Sequence, residues 1–307
     1  SNPLFGRFSL IQHIRDFDYY NAAKFYPELS VREKVAFYAV FGGSPYVLEH
    51  LDASRSLCDN IISLLLPETG LIRTHIENIM LREIRKSYDT RILEALGNGR
   101  KRYTEIRDWT NTAETGLLDK QLKALQDMET IQKTAPINRR DDKKKQSYEI
   151  VDNLMRFYFT FIFGKSGVIT RIGTEQYYRR NIEDRIEQFI SRRLEGLTLQ
   201  FFHRMSATGL FPDLDDFGSY WYDDPVGKKN GEFDCVLKRN NQYDFYECKY
   251  YDRPMSPDEC RLEEEQLRNI QGITVSGIGF VCTGGFSPDC SERYSLITGK
   301  DLYRSLT

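Results

Sequence analysis

Two short segments near the C-terminal end, Gly231-Glu232-Phe233-Asp234-Cys235-Val236-Leu237 and Asp244-Phe245-Tyr246-Glu247-Cys248-Lys249-Tyr250, alternate polar and apolar residues with the period of a half-buried β-strand. Between them, Arg239-Asn240-Asn241-Gln242 has the composition of a tight turn, because asparagine tolerates positive φ. The pattern predicts one antiparallel hairpin. A turn centred between Asn240 and Asn241 sets Asp234 opposite Glu247 and Glu232 opposite Lys249, all on one face. The other face then carries Phe233, Cys235, Leu237, Tyr246, Cys248 and Tyr250, an apolar set able to pack on a core and hold that register.

Two carboxylates directly opposite each other repel by about 0.2–1 kcal/mol, and a divalent cation is the simplest relief. An all-oxygen site with no histidine or thiolate on its face suits Mg²⁺ or Mn²⁺ better than Zn²⁺. Lys249 reaches the same space as Glu247 and can hold a phosphate oxygen or an attacking water. Metal, water and lysine together suit phosphodiester hydrolysis. The competing expectation is a solvated face of an amphipathic hairpin with no chemistry at all.

These residues resemble the PD-(D/E)XK nuclease superfamily, whose motif is an acidic residue on one strand followed by Glu-x-Lys on the next. Asp234, Glu247 and Lys249 match it. The resemblance implies a restriction-endonuclease-like α/β core with those three residues catalytic and Asp234 and Glu247 on the metal. It also implies a glutamate on the helix before the hairpin. Arg185 to Met205 reads as that helix, and its Glu195 is carried over as a further catalytic and metal-binding residue, with Glu183 and Glu187 as rivals. Gln266, on the helix expected from Pro257 to Asn269, resembles a substrate-facing glutamine of some members.

A net charge of -2 gives no global attraction to nucleic acid, so any such binding rests on local basic patches. The six cysteines show no C-x-x-C spacing, and Cys235 and Cys248 fall on the apolar hairpin face, so free thiols of a reducing, cytoplasmic compartment are expected. No apolar run reaches the roughly 18–20 residues that span a bilayer, and no N-terminal signal is present, so no membrane partner is expected. The chain starts in mid-pattern, as a fragment of a longer protein would.

Three units are expected. Residues 1–88 are helical, with Val31 to Val40, Pro45 to Leu51, Ser56 to Leu65 and Thr74 to Tyr88 separated by Gly42-Gly43-Ser44-Pro45 and Pro67-Glu68-Thr69-Gly70. Residues 89–155 hold three helices, Arg91 to Leu96, Tyr103 to Trp109 and Glu114 to Met128, the last with Leu118, Leu122, Leu125 and Met128 on one face. Strand-like arms follow, Glu129 to Thr134 and Gln146 to Val151, around a basic tip. That order predicts a winged helix-turn-helix, whose third helix can enter a DNA major groove while the wing touches phosphates. Lys120 and Lys123 on the helix and Arg139, Arg140, Lys143, Lys144 and Lys145 on the wing are the DNA-binding candidates, with Arg100-Lys101-Arg102 extending the patch. Asp119, Asp127, Asp141 and Asp142 dilute it, so a soluble turn or a protein contact stays open. Residues 156–307 then run as an aromatic segment, the long helix, the hairpin, a charged helix and a buried strand within Gly272 to Cys282, the order of an α/β core. Tyr220, Trp221 and Tyr222 read as packing groups rather than base-stacking ones.

Gly164-Lys165-Ser166 invites a phosphate-loop reading but fails it, because Phe159 stands where the first glycine of G-x-x-x-x-G-K-[ST] belongs. The chain nevertheless resembles the C-terminal two-thirds of a prokaryotic, archaeal-type AAA+/STAND-like ATPase family. Pro3-Leu4-Phe5-Gly6-Arg7, Phe41 to Leu48, Tyr148 to Asn153 with Arg156 to Phe159, and the Asp234, Glu247, Lys249 set carry that resemblance in family order. It implies that residues 1–88 are the helical lid of a missing ATPase core, that ATP binds only through that core, and that Arg7 approaches the nucleotide in the intact protein. The expected fold is therefore mixed: an all-α lid and a winged helix-turn-helix, followed by a restriction-endonuclease-like α/β core. The expected function is a DNA-associated ATPase module with a Mg²⁺-dependent nuclease site. The alternative is a non-catalytic regulatory module that binds nucleic acid or a partner without cleavage.

Overall fold

The computed structural model of the chain describes residues 16–80, 89–112, 115–211, 213–270 and 272–305. Arg7, the end of the helix expected through Tyr88, and Glu114 lie outside them. The N-terminal helices are α1 (Tyr19–Ala22), α2 (Val31–Phe41), α3 (Pro45–Glu49), α4 (Leu57–Asn60) and α5 (Leu71–His75). Helices α4 and α5 each widen into a π-helical turn, at Ile61–Leu65 and Ile76–Met80. A reciprocal cap starts α2: Ser30 Oγ accepts from the Glu33 amide at 3.3 Å, and the Glu33 carboxylate accepts from the Ser30 amide at 2.9 Å. Val35 to Phe41 are all buried, which makes α2 a central helix. Gly42 ends it with φ of 70°, and a Cβ on Gly43 would stand 1.8 Å from the Phe17 carbonyl oxygen, so the glycine pair serves close packing.

Next come α6 (Arg91–Gly97), α7 (Tyr103–Thr110) and α8 (Thr115–Asp127), then strands β1 (Ile131–Thr134) and β2 (Ser147–Ile150), paired antiparallel. Lys101, between α6 and α7, adds an antiparallel bridge to Tyr148 on β2. Leu118, Leu122 and Leu125 are buried as the helical period requires, but Met128 lies past the end of α8 and is exposed.

Helix α9 (Asn153–Phe161) absorbs the aromatic segment, and Asp152 caps it by accepting from the Met155 amide at 2.6 Å. It packs on α2 and α6. A Cβ on Gly97 would stand 2.8 Å from the Phe159 backbone, so only glycine permits that approach. Helices α10 (Ser166–Ile172) and α11 (Thr174–Asn181) lead into α12 (Glu183–Ala207).

A five-stranded sheet follows in spatial order β3 (Leu214–Asp224), β4 (Lys229–Arg239), β5 (Gln242–Lys249), β6 (Gly277–Cys282) and β7 (Ser295–Thr298). Its first three strands are antiparallel, while β5, β6 and β7 run parallel, with α13 (Pro257–Arg268) in the crossover between β5 and β6. The short α14 (Gly299–Leu302) closes the described chain. Leu194, Leu197, Phe201 and Phe202 of α12 cover one face, meeting Cys235, Leu237, Tyr246 and Cys248. Val236, Phe245 and Phe280 meet Cys260 and Leu267 of α13 on the other. The protein is thus mixed α/β, with a sheet covered on both sides. The core under α12 runs without a break from Tyr19 to Leu302, and the Tyr19 hydroxyl donates to the Leu302 carbonyl at 2.7 Å, so the N-terminal helices and the sheet share one interior.

Candidate carboxylate site and basic surfaces

The hairpin turn forms where its asparagines predict: Asn240 and Asn241 take φ of 49° and 63°, and Arg239 pairs with Gln242, Leu237 with Asp244 and Val236 with Phe245. The β4–β5 ladder ends there. Further down, β4 stays with β3, and β5 continues against β6 as far as Lys249. The expected pairings of Asp234 with Glu247 and of Glu232 with Lys249 therefore do not form: the last β4–β5 pair is Val236 with Phe245, Glu232 pairs with Trp221 on β3, and Glu247 and Lys249 pair with Phe280 and Cys282 on β6.

A bulge explains how Asp234 is presented. Gly218 pairs with Val236 and Tyr220 with Phe233, so Asp234 and Cys235 together face the single residue Ser219. The extra residue breaks the alternation. Phe233 consequently does not join Cys235 and Leu237 as the period of two predicted. It packs on the other face, its ring 5.1 Å from Phe245 and 5.2 Å from Tyr222. That part of the expected apolar face is corrected; Cys235, Leu237, Tyr246, Cys248 and Tyr250 do share one core.

Asp234 is held by a residue from the preceding unit. Arg100, in the loop after α6, donates to Asp234 Oδ1 through Nη2 and to Glu232 Oε1 through Nη1 at 3.0 Å. Lys249 Nζ sits 3.0 Å from Glu247 Oε1 and 2.7 Å from Glu263 Oε1 on α13. Burial alone would lower the Lys249 ammonium, but Glu247 and Glu263 more than offset it and its pKa is raised. Burial raises the Glu247 carboxyl against the pull of Lys249, with Glu263 and Asp234 adding to the rise.

Glu195 on α12 completes the acidic group. Burial, then the charges of Asp234 and Glu247, push its carboxyl up to about 8, with Arg100 and Arg192 working the other way. Of its rivals, Glu187 pairs with Arg32 and Glu183 is exposed in the first turn of α12. Gln266 is exposed on α13, and the sheet's lysine is met instead by Glu263. Among the described residues, no group of three or more His, Cys, Asp or Glu has the geometry of an ion cage, so the expected metal site is not preformed. Arg100 and Lys249 engage the carboxylate oxygens that such an ion would use.

The basic candidates divide in two. Lys120, Arg139, Lys143 and Lys144 are exposed, and Lys123 is exposed with Asp127 at 3.5 Å. Arg140 instead pairs with Asp216 on β3 at 2.7 Å, and Lys145 lies 3.5 Å above the Trp221 ring centre. The segment between β1 and β2 is docked along β3: Ile137 donates its amide to the Ser219 carbonyl at 2.7 Å, and Asn138 exchanges bonds of 2.8 and 2.9 Å with the Trp221 backbone. It caps the open edge of the sheet at the strand position opposite the bulge. Arg102 also lies over Trp221, at 5.5 Å from the ring centre. Sequence reasoning placed Arg100 in a DNA patch and passed over Glu263, since nothing local signals either contact.

Residues 158–270 match the family DUF234, described as archaea bacterial proteins of unknown function. An uncharacterized protein of Methanocaldococcus jannaschii, MJECL04, is 24% identical over 255 residues, which is 82% of this chain and 55% of that protein. The chain thus spans about half the length of that curated relative. The crystal structure of protein VC1899 from Vibrio cholerae aligns over 81% of this chain and 55% of its own, at 13% identity and a TM-score of 0.26, too low to support a fold comparison. Among the described residues no helix is long and apolar enough to cross a membrane.

Proposed function

We propose that the chain is a nucleic-acid-directed module of a larger ATPase and that its sheet carries a Mg²⁺- or Mn²⁺-dependent phosphodiesterase site, kept closed by Arg100. The observation that carries this is Lys249 held between Glu247 and Glu263 on the strand beside that of Asp234, with Glu195 near enough for the charges of Asp234 and Glu247 to act on it. Three helices, a bridging residue between the first two and a two-stranded hairpin support a winged helix-turn-helix in residues 89–155. A long helix packed on a mixed sheet with the acidic residue at a bulge supports the PD-(D/E)XK-like reading of the rest.

The donor set fits a hard divalent ion. It is all oxygen, and the charges of Asp234 and Glu247, which add to the effect of burial in raising Glu195, are ones that such an ion would offset. Glu195, Asp234 and Glu247 would hold it, and when bound it supplies a lowered water pKa and stabilises the leaving oxyanion. The residues of the chain do the rest. Lys249, fixed between Glu247 and Glu263, positions the nucleophile and the phosphate oxygen. Arg100 must leave Asp234 first, and because it belongs to the DNA-binding unit, docking of that unit on a duplex is the event that would free it. Residues 16–80 would relay the nucleotide state of the parent's ATPase core, and ATP binds there and not in this chain.

A second reading is favoured by the same ion pairs. With Arg100 on Asp234, Lys249 on Glu247 and the wing segment docked on β3, the unit is also built as a non-catalytic regulatory scaffold. Nicking of plasmid DNA with Mn²⁺ by the full-length parent separates the two. The nuclease reading expects activity that Asp234→Asn and Lys249→Met abolish while DNA binding persists; no cleavage by the parent under any ATP or metal condition overturns it.

A further inference from the structure

A cleft opens between α12, α9 and the loop that ends α6, beside the carboxylates but separate from them. Four guanidinium groups line it: Arg156 from α9, and Arg185, Arg192 and Arg193 from α12, with Asn98 and Gly99 on the loop side. Arg156 has an acid to answer it, Glu149 Oε2 at 3.2 Å from its Nη2. Among the described residues, Arg185, Arg192 and Arg193 form no ion pair.

Two of the four also carry orphaned donors. Arg193 Nε and Nη1 are buried with no acceptor, and so is Arg156 Nε. A buried N–H without an acceptor is rare in folded proteins, and here the two residues that carry them line one cavity. The forks are braced by aromatic rings: Arg185 lies 5.0 Å from the Phe161 ring centre and Arg193 5.7 Å from that of Phe189. Burial lowers the Arg156 guanidinium, Glu149 counters, and Arg100 adds like-charge repulsion. Excess positive charge, donors without acceptors and planar forks held in place together describe a site for a multiply charged oxyanion.

We propose that this cleft binds a phosphate group, gripped by Arg192 and Arg193 with Arg156 and Arg185 supplying the surrounding field. A single carboxylate would leave most of the charge of three guanidiniums that form no ion pair among the described residues unanswered, whereas a phosphate offers several acceptor oxygens to the same forks. The phosphate comes either from a nucleic-acid backbone or from a free phosphate. Arg185, Arg192 and Glu195 recur at helical spacing on α12, and Asn98-Gly99 runs directly into Arg100, so an occupant lies within about one or two turns of the acidic group. The assignment needs an anion and no metal, and it stands whether or not the carboxylates cleave anything.

The test is run on the whole chain in EDTA and low salt, with inorganic phosphate by calorimetry and a labelled single-stranded DNA oligonucleotide by fluorescence anisotropy. Arg192 is exposed, so Arg192→Glu should fold; Arg193→Gln removes the orphaned fork. The expected result is saturable binding of at least one probe, weakened about tenfold or more by each variant. Loss of phosphate binding identifies a free phosphate as the ligand, and loss confined to the oligonucleotide identifies a backbone. If wild-type protein binds neither probe, or both variants, folded by circular dichroism, bind as wild type does, the site is refuted. A failure of metal-dependent cleavage leaves these results untouched.

Discussion

Arg100 donates to the carboxylate of Asp234, 134 residues further along the chain, and to Glu232 beside it. Both acids and the arginine are partly buried, so the contact ties the three-helix unit to the sheet at the point where the acidic group gathers. Removing it has two opposed effects. In metal-free buffer Arg100→Gln should cost about 1–2 kcal/mol, since charge-assisted bonds are lost at a partly solvated site. Mn²⁺ should then raise the melting temperature of the variant more than that of the wild type. Urea titrations without the ion check the first half, and thermal melts with and without it check the second.

Lys249 is shared between Glu247 on its own strand and Glu263 on α13. Lys249→Met should destabilise more than Glu263→Gln, because it leaves two acids without a cation. A double-mutant cycle between Lys249 and Glu263 should return a coupling of about 0.5–3 kcal/mol. Coupling near zero would mean that the α13 carboxylate does not hold the lysine.

The docked segment between β1 and β2 should behave as part of the sheet edge. Asn138→Ala removes both bonds to the Trp221 backbone and should cost about 1–3 kcal/mol, with faster hydrogen exchange at Trp221 and Ile137. Lys143→Ala and Lys144→Ala, at exposed positions, should change stability by no more than about 0.5 kcal/mol. Equal effects from all three substitutions would show that the segment is not anchored by Asn138.

Asp152 caps α9, and burial raises its carboxyl to about 6, above the value near 3.8 expected when unfolded. A raised acid binds its proton more tightly in the folded state. Its contribution is therefore fully present below about 3.8 and is lost as pH rises through about 6. Asp152→Asn keeps a good capping residue without the charge, so its stability relative to wild type should improve between pH 4 and pH 8. Asp152→Ala lacks the charge as well and should follow the same pH trend, lying about 1 kcal/mol below Asp152→Asn at either pH for the missing cap. Thermal melts across that range decide it.

Local chemistry made much of this fold legible. The Asn240-Asn241 turn and the alternation around it gave the hairpin and its register from Val236 to Arg239, but not the expected pairings of Asp234 with Glu247 and Glu232 with Lys249, and the helix expected from Pro257 forms as α13. What escaped is non-local. Strand β3 mixes acidic and aromatic residues around Gly218, and its pairing with β4 creates the bulge that presents Asp234 and turns Phe233 away from Cys235. No pattern within β4 announces that. Arg100, Glu263 and the segment between β1 and β2 are likewise defined by partners far away in the chain, and their charge alone suggested a surface role.

The central claim is that Glu195, Asp234 and Glu247 accept a hard divalent ion once Arg100 is removed. Calorimetric titration of Mn²⁺ into Arg100→Gln tests it most directly. The account predicts saturable binding, about tenfold or more tighter than in wild type, that Asp234→Asn added to the same variant abolishes. Absence of saturable binding in Arg100→Gln, or binding indifferent to Asp234→Asn, would contradict it.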